Sequence, residues 1–165
     1  MKVNDLKDLM VPIQDYLKPE ATLREAVNLL RVARRGEERQ GVKGLPVLDR
    51  DGKVVGMLTI RDIFKAVYPS YMSMMNLGEF TWDGMVESIA KQVGNDRVAT
   101  HMNRKVVTVR EDKPLMECLD NMVTHNVARL VVLDKTGKVV GMLYERDLFF
   151  SIVKAMLDEN NGGVK

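Results

Sequence analysis

The chain has 165 residues, 45% hydrophobic and 29% charged, with a formal net charge of +2. That length supports one medium domain or two small ones, with a core that needs no disulfide or metal. The near-neutral balance gives no basic field for nucleic acid or an acidic membrane surface. No apolar run approaches the roughly 18 residues of a membrane span. The single cysteine, Cys118, excludes an intramolecular disulfide and fits a reducing compartment. The N-terminal "MKVNDLKDLM" mixes charge into its apolar positions and does not read as a signal peptide. A cytoplasmic location is therefore the default expectation.

In chain order, the first expected element is a short extended piece near 13–17. An amphipathic helix follows over 22–33, with Leu23, Ala26, Val27 and Leu30 on one face. Thr22 and Glu25 have the spacing of a capping box. "RRGEERQ" (34–40) is charged and carries a glycine, as an exposed insertion would. "GLPVLD" is rich in strand formers, and "RDG" is a turn in which Gly52 can take positive φ. "KVVGMLTI" completes a hairpin. A helix starts at "RD" and runs through Ile63, Phe64 and Val67. The segment 68–97 is long for a linker. Its first part, "YPSYMSMMNLGEFTWDG", is rich in methionine and holds Trp82, the one tryptophan. Its second part reads as a helix over 83–94, with Met85, Ile89 and Val93 at helical spacing and Gly94 as a stop. The same order then recurs: an extended piece near 106–109, a helix over 114–125 with Pro114 in its first turn, "RLVVLD", "KTG", "KVVGMLYE" and a last helix through Leu148, Phe149 and Ile152. "DENNGGVK" (158–165) reads as a disordered tail.

The recurrence is a true repeat. Residues 42–67 and 127–152 align without a gap and share 15 of 26 positions. Upstream, Leu23, Ala26, Val27 and Leu30 align with Leu115, Cys118, Leu119 and Met122, and Met10 aligns with Met102. The unit is β-α-β-β-α, written twice. A copy of about 60 residues buries little by itself. We therefore expect an α/β (α+β) fold with pseudo-twofold symmetry, 1–157 forming a single domain. Copy one would span 1–67, a helical insertion 68–97 and copy two 98–157.

Thr59 and Asp62 fall where a strand passes into a helix. Thr-x-x-Asp at that place is a capping box. The same place suits a ligand, because a helix N-terminus offers free N–H groups and a positive dipole end to phosphate, and a carboxylate there can take both hydrogens of a ribose diol. The second copy has Tyr144 in place of Thr59 but keeps Asp147. A tyrosine cannot cap as threonine does, so capping alone gives little reason to keep that aspartate. Tyr144 could stack on a base or block the site. The ring of such a ligand would need an apolar slot, for which Ile13, Val107, Leu45, Pro46 and Met57 are candidates, each more often simply core. Other chemistry is thin. His101 and His125 lack metal-ligand spacing with Cys118, and Cys118 aligns with Ala26 on an apolar face. No nucleophile elbow, phosphate loop or dinucleotide fingerprint occurs, so we expect no catalysis.

The pattern Pro-Val-hydrophobic-Asp, a Gly turn, then "VVGMLTIRD" resembles the cystathionine-β-synthase (CBS) domain, and its tandem repetition resembles the CBS pair, or Bateman module. "LKDLMVP" and "VATHMNR" are similar to the short segment that precedes each repeat in that family. The resemblance covers about 1–67 and 98–157. It implies binding of an adenine nucleotide (AMP, ADP or ATP) or an S-adenosyl ligand such as S-adenosylmethionine in clefts between the repeats, with no required cofactor. It places Asp62 at the ribose and Thr59 near phosphate, extends the ribose role to Asp147, and makes Arg129, or Lys43 in the first copy, a phosphate partner. It also implies a regulatory role and face-to-face homodimers, with the signal passed to an effector protein. The alternative expectation is a constitutive dimeric interaction module whose cleft is vestigial. Nucleic acid and membrane are not expected partners.

Overall fold

The computed structural model describes residues 6–35, 38–39, 41–68 and 84–158. Residues 69–83, which hold the methionine-rich stretch with Trp82, and residues 159–165 of the tail expected to be disordered lie outside the described residues. In chain order the elements are α1 (Leu6–Leu9), β1 (Val11–Pro12), α2 (Leu23–Val32), β2 (Arg34–Arg35), β3 (Glu38–Arg39), β4 (Gly44–Leu48), β5 (Val54–Thr59) and α3 (Ile60–Val67). After them come α4 (Met85–Val93), α5 (Val98–His101), β6 (Thr108–Arg110), α6 (Leu115–His125), β7 (Arg129–Leu133), β8 (Val139–Tyr144) and α7 (Glu145–Leu157). The mixed α+β class and the repeated order are those expected.

The chain forms two compact units. One runs from Asp15 to Val106; the other joins Met1–Gln14 to Val107–Lys165. Each is built on the repeated hairpin. β4 and β5 pair antiparallel from Gly44 opposite Thr59 to Leu48 opposite Val54, with a bulge between Val47 and Leu48. β7 and β8 repeat this from Arg129 opposite Tyr144 to Leu133 opposite Val139, with the bulge between Val132 and Leu133. The turns match as well. Asp49 Oδ1 accepts the amides of Asp51 and Lys53 at 2.9 and 3.0 Å, while Asp134 Oδ1 accepts those of Thr136 and Lys138 at 2.8 and 3.1 Å. Gly52 and Gly137 close these turns at φ 79° and 89°, a region open to glycine without steric cost. The Thr136 hydroxyl, donating to Asp134, leads the hydrogen bonds that hold that carboxyl below its ordinary range. Within the "RRGEERQ" insertion β2 and β3 pair antiparallel, with Arg34 opposite Arg39 and Arg35 opposite Glu38.

Sequence repeat and compact unit do not share boundaries. β1 pairs antiparallel with β8, Val11 lying opposite Met142 and Pro12 opposite Gly141. Ile13 continues the contact by donating its amide to Val140 O at 3.1 Å. In the other unit a lone antiparallel bridge joins Asn103 to Met57 of β5, with both N···O distances 2.9 Å. The segment that precedes each copy thus completes the hairpin of the other copy. The glycine of "VVGML" makes the approach possible. A Cβ on Gly141 would lie 2.7 Å from Val11 O and 3.0 Å from Met10 Sδ, and one on Gly56 would run into the Met102 side chain. Met10 and Met102, the pair aligned in sequence, therefore do the same job on opposite hairpins.

Buried apolar residues form two clusters. Leu17, Leu23, Ala26, Leu45, Val47 and Leu58 belong to the one in the Asp15–Val106 unit. Leu6, Val109, Cys118, Leu130, Val132 and Leu143 belong to the other. Apolar periodicity drives α2 and α6 into these clusters, since Leu23, Ala26 and Leu30, or Cys118 and Met122, lie on the inward faces. Burial, followed by the charge of Glu117, pushes the Cys118 thiol up to about 11. At pH 8 only about one molecule in a thousand then carries the reactive thiolate. The native protein should therefore consume no thiol reagent over the minutes in which the unfolded chain consumes one equivalent, as read by the absorbance of the released thiolate.

Candidate ligand-binding site

The strand-to-helix corner of the first copy is a complete capping box. Thr59 is the N-cap of α3 in extended conformation, φ −117° and ψ 168°. Its amide and hydroxyl donate to Asp62 Oδ2 at 2.8 and 3.0 Å, and the Asp62 amide donates back to Thr59 Oγ1 at 3.4 Å. The cap uses one carboxylate oxygen. Among the described residues, Asp62 Oδ1 accepts no hydrogen bond. Both side chains are half-buried. The helix they open is amphipathic and has no fully buried residue. Its first amide, on Ile60, donates to Lys43 O at 2.9 Å, which fixes Lys43 beside the helix start with its side chain exposed.

The second corner keeps the backbone and changes the chemistry. Glu145 donates its amide to Ala128 O at 2.9 Å, the counterpart of Ile60 and Lys43. Tyr144 is the N-cap of α7 and makes no side-chain cap. Asp147 nevertheless occupies the same third helical position as Asp62 and is half-buried. Across the hairpin, Arg129 lies opposite Tyr144, whereas Gly44 lies opposite Thr59. One corner therefore carries threonine, a carboxylate and an exposed lysine; the other carries tyrosine, a carboxylate and a half-buried arginine.

The expected site residues divide between the two units. Thr59, Asp62, Lys43, Leu45, Pro46 and Met57 fall in the Asp15–Val106 unit, and Ile13, Val107, Arg129, Tyr144 and Asp147 in the other. Val107 accepts the Val131 amide at 3.1 Å and, like Ile13, is half-buried. Leu45 is 3% exposed, Met57 is 8% exposed and Pro46 is fully buried. β4 is buried along its whole length, so Leu45 and Pro46 serve the core. Sequence reasoning missed a polar tie beside α4. Arg24 donates to Asn95 Oδ1 at 2.7 Å and to Lys91 O at 3.3 Å, and His101 Nε2 meets Asp96 Oδ2 at 2.8 Å. No spacing rule links residues 71 positions apart. Among the described residues no group of three or more His, Cys, Asp or Glu could hold a metal ion, and no helix is long and apolar enough to cross a membrane.

Comparison with known proteins adds to this geometry. The family model described as "CBS domain" matches residues 6–69 and 96–154. An uncharacterized protein of Methanocaldococcus jannaschii is 27% identical over 164 residues, covering 92% of this chain and 96% of that protein. A CBS domain-containing protein of Dictyostelium discoideum is 28% identical over 127 residues, covering 77% of this chain and 81% of that protein. Among solved structures, the CBS-pair protein CBSX2 in complex with AMP superposes with a TM-score of 0.66 at 22% identity, over 93% of this chain and 98% of that one. CBSX2 from Arabidopsis thaliana, at 22% identity, gives the same TM-score over 93% and 96%. The cytosolic domain of the Mg2+ channel MgtE in complex with ATP gives 0.64 at 23% identity, over 91% of this chain and 49% of that one.

Proposed function

We propose that this chain, which belongs to the CBS-domain family, forms a regulatory CBS pair that binds an adenine nucleotide or S-adenosyl ligand and passes the signal to another protein. The observation that carries this reading is the Thr59–Asp62 corner, where the cap occupies only Oδ2 and, among the described residues, leaves Oδ1 to accept from a ligand hydroxyl. Asp62 would hold the ribose diol, with Thr59 and Lys43 toward phosphate. Support also comes from relatives of the same fold that were solved with AMP and ATP. The family model that matches is described as a CBS domain and names no catalytic activity. Regulation would act as a population shift: a ligand that prefers one conformation changes what an effector can bind. Self-association through exposed apolar helix faces belongs to the same reading.

A ligand bound only by the native state and supplied at 100 times its dissociation constant adds about 2.7 kcal/mol of stability. Melts with AMP, ADP, ATP and S-adenosylmethionine at millimolar concentration should therefore rise by several degrees for at least one of them. If all four leave the midpoint unchanged, the corner is vestigial and the chain is a constitutive interaction module. Asp62→Ala should weaken binding by at least about 1.5 kcal/mol, the scale of a hydrogen bond to a charged group. Asp147→Ala should weaken it less. Calorimetry well below the melting temperature separates this effect from the lost cap. Loss of binding in Asp147→Ala alone would move the site to the Tyr144 corner.

A further inference from the structure

The first copy carries a helix that, among the described residues, the second lacks. α4 lies over the groove between α2 and α3, where Ala90 and Val93 line a remaining cavity of about 240 Å3 with Val27, Ile63 and Val67. Its inner row, Met85, Ile89 and Val93, is half-buried at the four-residue spacing of one helix face. In the other unit the repeat-equivalent Leu119, Leu148 and Ile152 line a groove of about 820 Å3 bounded, among the described residues, by α6, α7 and residues 126–128. The hairpin and both helices form there with no helix in the place of α4. α4 is thus an addition to the β-α-β-β-α unit and not a part of its frame.

The chain just after α4 is pinned by main chain. Asp96 O accepts the Leu23 amide at 2.8 Å, Gly94 O that of Arg24 at 3.1 Å, and Ala21 O that of Val98 at 2.7 Å. α4 itself is held by less. It has nine residues, none of them fully buried, and Gly84 at its N-cap supplies no side-chain cap. Helices shorter than about 12–15 residues are marginal in water by themselves, so α4 is helical because it is docked. Arg24 completes its far end. Of the last four carbonyls of a helix, none has a partner inside it. Those of Ala90, Gln92 and Val93 accept the amides of Gly94, Asn95 and Asp96, and that of Lys91 accepts from Arg24 Nη2 at 3.3 Å. The guanidinium also suits the negative end of the helix dipole. The second copy has Met116 at the position of Arg24. The basic residue therefore stands where a helix ends against it.

We propose that the α2–α3 groove is a docking site for an amphipathic helix of the effector, and that α4 occupies it in cis as a displaceable strap pivoting at residues 94–97. The helix that fits has the chemistry of α4: medium-sized apolar side chains at i, i+4 and i+8 over Val27, Ile63 and Val67, and a C-terminal end set against Arg24. This deepens the effector half of the proposed function and rests on it, but asks nothing of nucleotide binding. A strap in the same chain acts at an effective concentration on the order of millimolar, so a partner binds weakly until the strap is released.

Fluorescence anisotropy with a labelled peptide of residues 84–93 tests this on the full chain. Ile89→Glu puts a charge on the inner face of α4 and leaves the groove intact. The variant should bind the peptide at least about tenfold more tightly than the wild type does, because a larger fraction of it is open. Ile89→Ser takes its place if circular dichroism shows that Ile89→Glu folds poorly. A peptide that itself carries Ile89→Glu should bind neither chain. Hydrogen exchange on the wild type gives a second readout: the amides of α4 should exchange at least about a hundredfold faster than those of β5. Arg24→Met should speed α4 about tenfold further, the scale of one hydrogen bond from a charged group, and leave β5 unchanged. The proposal is overturned if the peptide binds the variant no better than the wild type, or if α4 and β5 exchange as one unit. Peptide binding without any nucleotide-dependent melt would remove the nucleotide reading and keep this one; the reverse result would remove this one alone.

Discussion

Leu143→Ala should cost about 4 kcal/mol, within the range for a large buried aliphatic cut back to alanine. Leu143 has no exposed surface and lies in the β8 strand opposite Leu130. Both belong to one cluster with Val132, Cys118 and Leu148. The strand is tied on both edges, by β7 and by β1, so the backbone has little freedom to collapse into the void. Its repeat mate Leu58 is equally buried and lies opposite Leu45, and Leu58→Ala should cost a similar amount. Urea titration followed by circular dichroism reads the effect as a lower midpoint at unchanged slope. A loss below about 2 kcal/mol in both variants would mean that the sheets relax around the cavity.

Gly141→Val should cost about 3 kcal/mol, at the upper end of overpacking penalties. The new Cβ would meet a backbone oxygen, Val11 O, at 2.7 Å. Backbone has nowhere to turn, so β1 must leave the sheet edge or β8 must bend. Gly56→Val should cost less, because the obstacle there is the side chain of Met102 rather than main chain. Hydrogen exchange gives the discriminating readout: the Ile13 amide, bonded to Val140 O, should lose protection in Gly141→Val and keep it in Gly56→Val. Equal destabilisation by the two substitutions would remove the distinction between rigid and flexible obstacles.

The parts of this protein that were legible in advance are those whose cause is local. Helix periodicity placed α2 and α6 within about two residues, and the turn glycines placed both hairpins. The Thr59–Asp62 box was readable because its two partners are three residues apart. Its failure at Tyr144 was readable for the same reason. Helices α1 and α5, of four residues each, are too short to show a period. Pairing of Asn103 with Met57 and of Val11 with Met142 is long-range, and no propensity encodes it. The trace it leaves is the bare glycine at 56 and 141, which hydropathy reads as a neutral interruption. Leu45 and Pro46 looked like candidates for a ligand slot because a strand buried on both faces has no alternation to mark which side is open.

The crossing of the leading segments bears on how such a chain could arise. A single ancestral copy with this strand order would have left its hairpin edge bare, with its own leading segment seeking an edge elsewhere. Two such molecules satisfy each other by exchanging segments, which is a domain swap. Gene duplication then turns an encounter between molecules into one within a molecule, at an effective concentration on the order of millimolar. Afterwards neither half evolves alone: a change at Gly56 is answered at Met102, and one at Gly141 at Met10 and Val11. The repeat is thus held in register by reciprocal dependence, while Thr59 and Tyr144, outside that contract, were free to diverge.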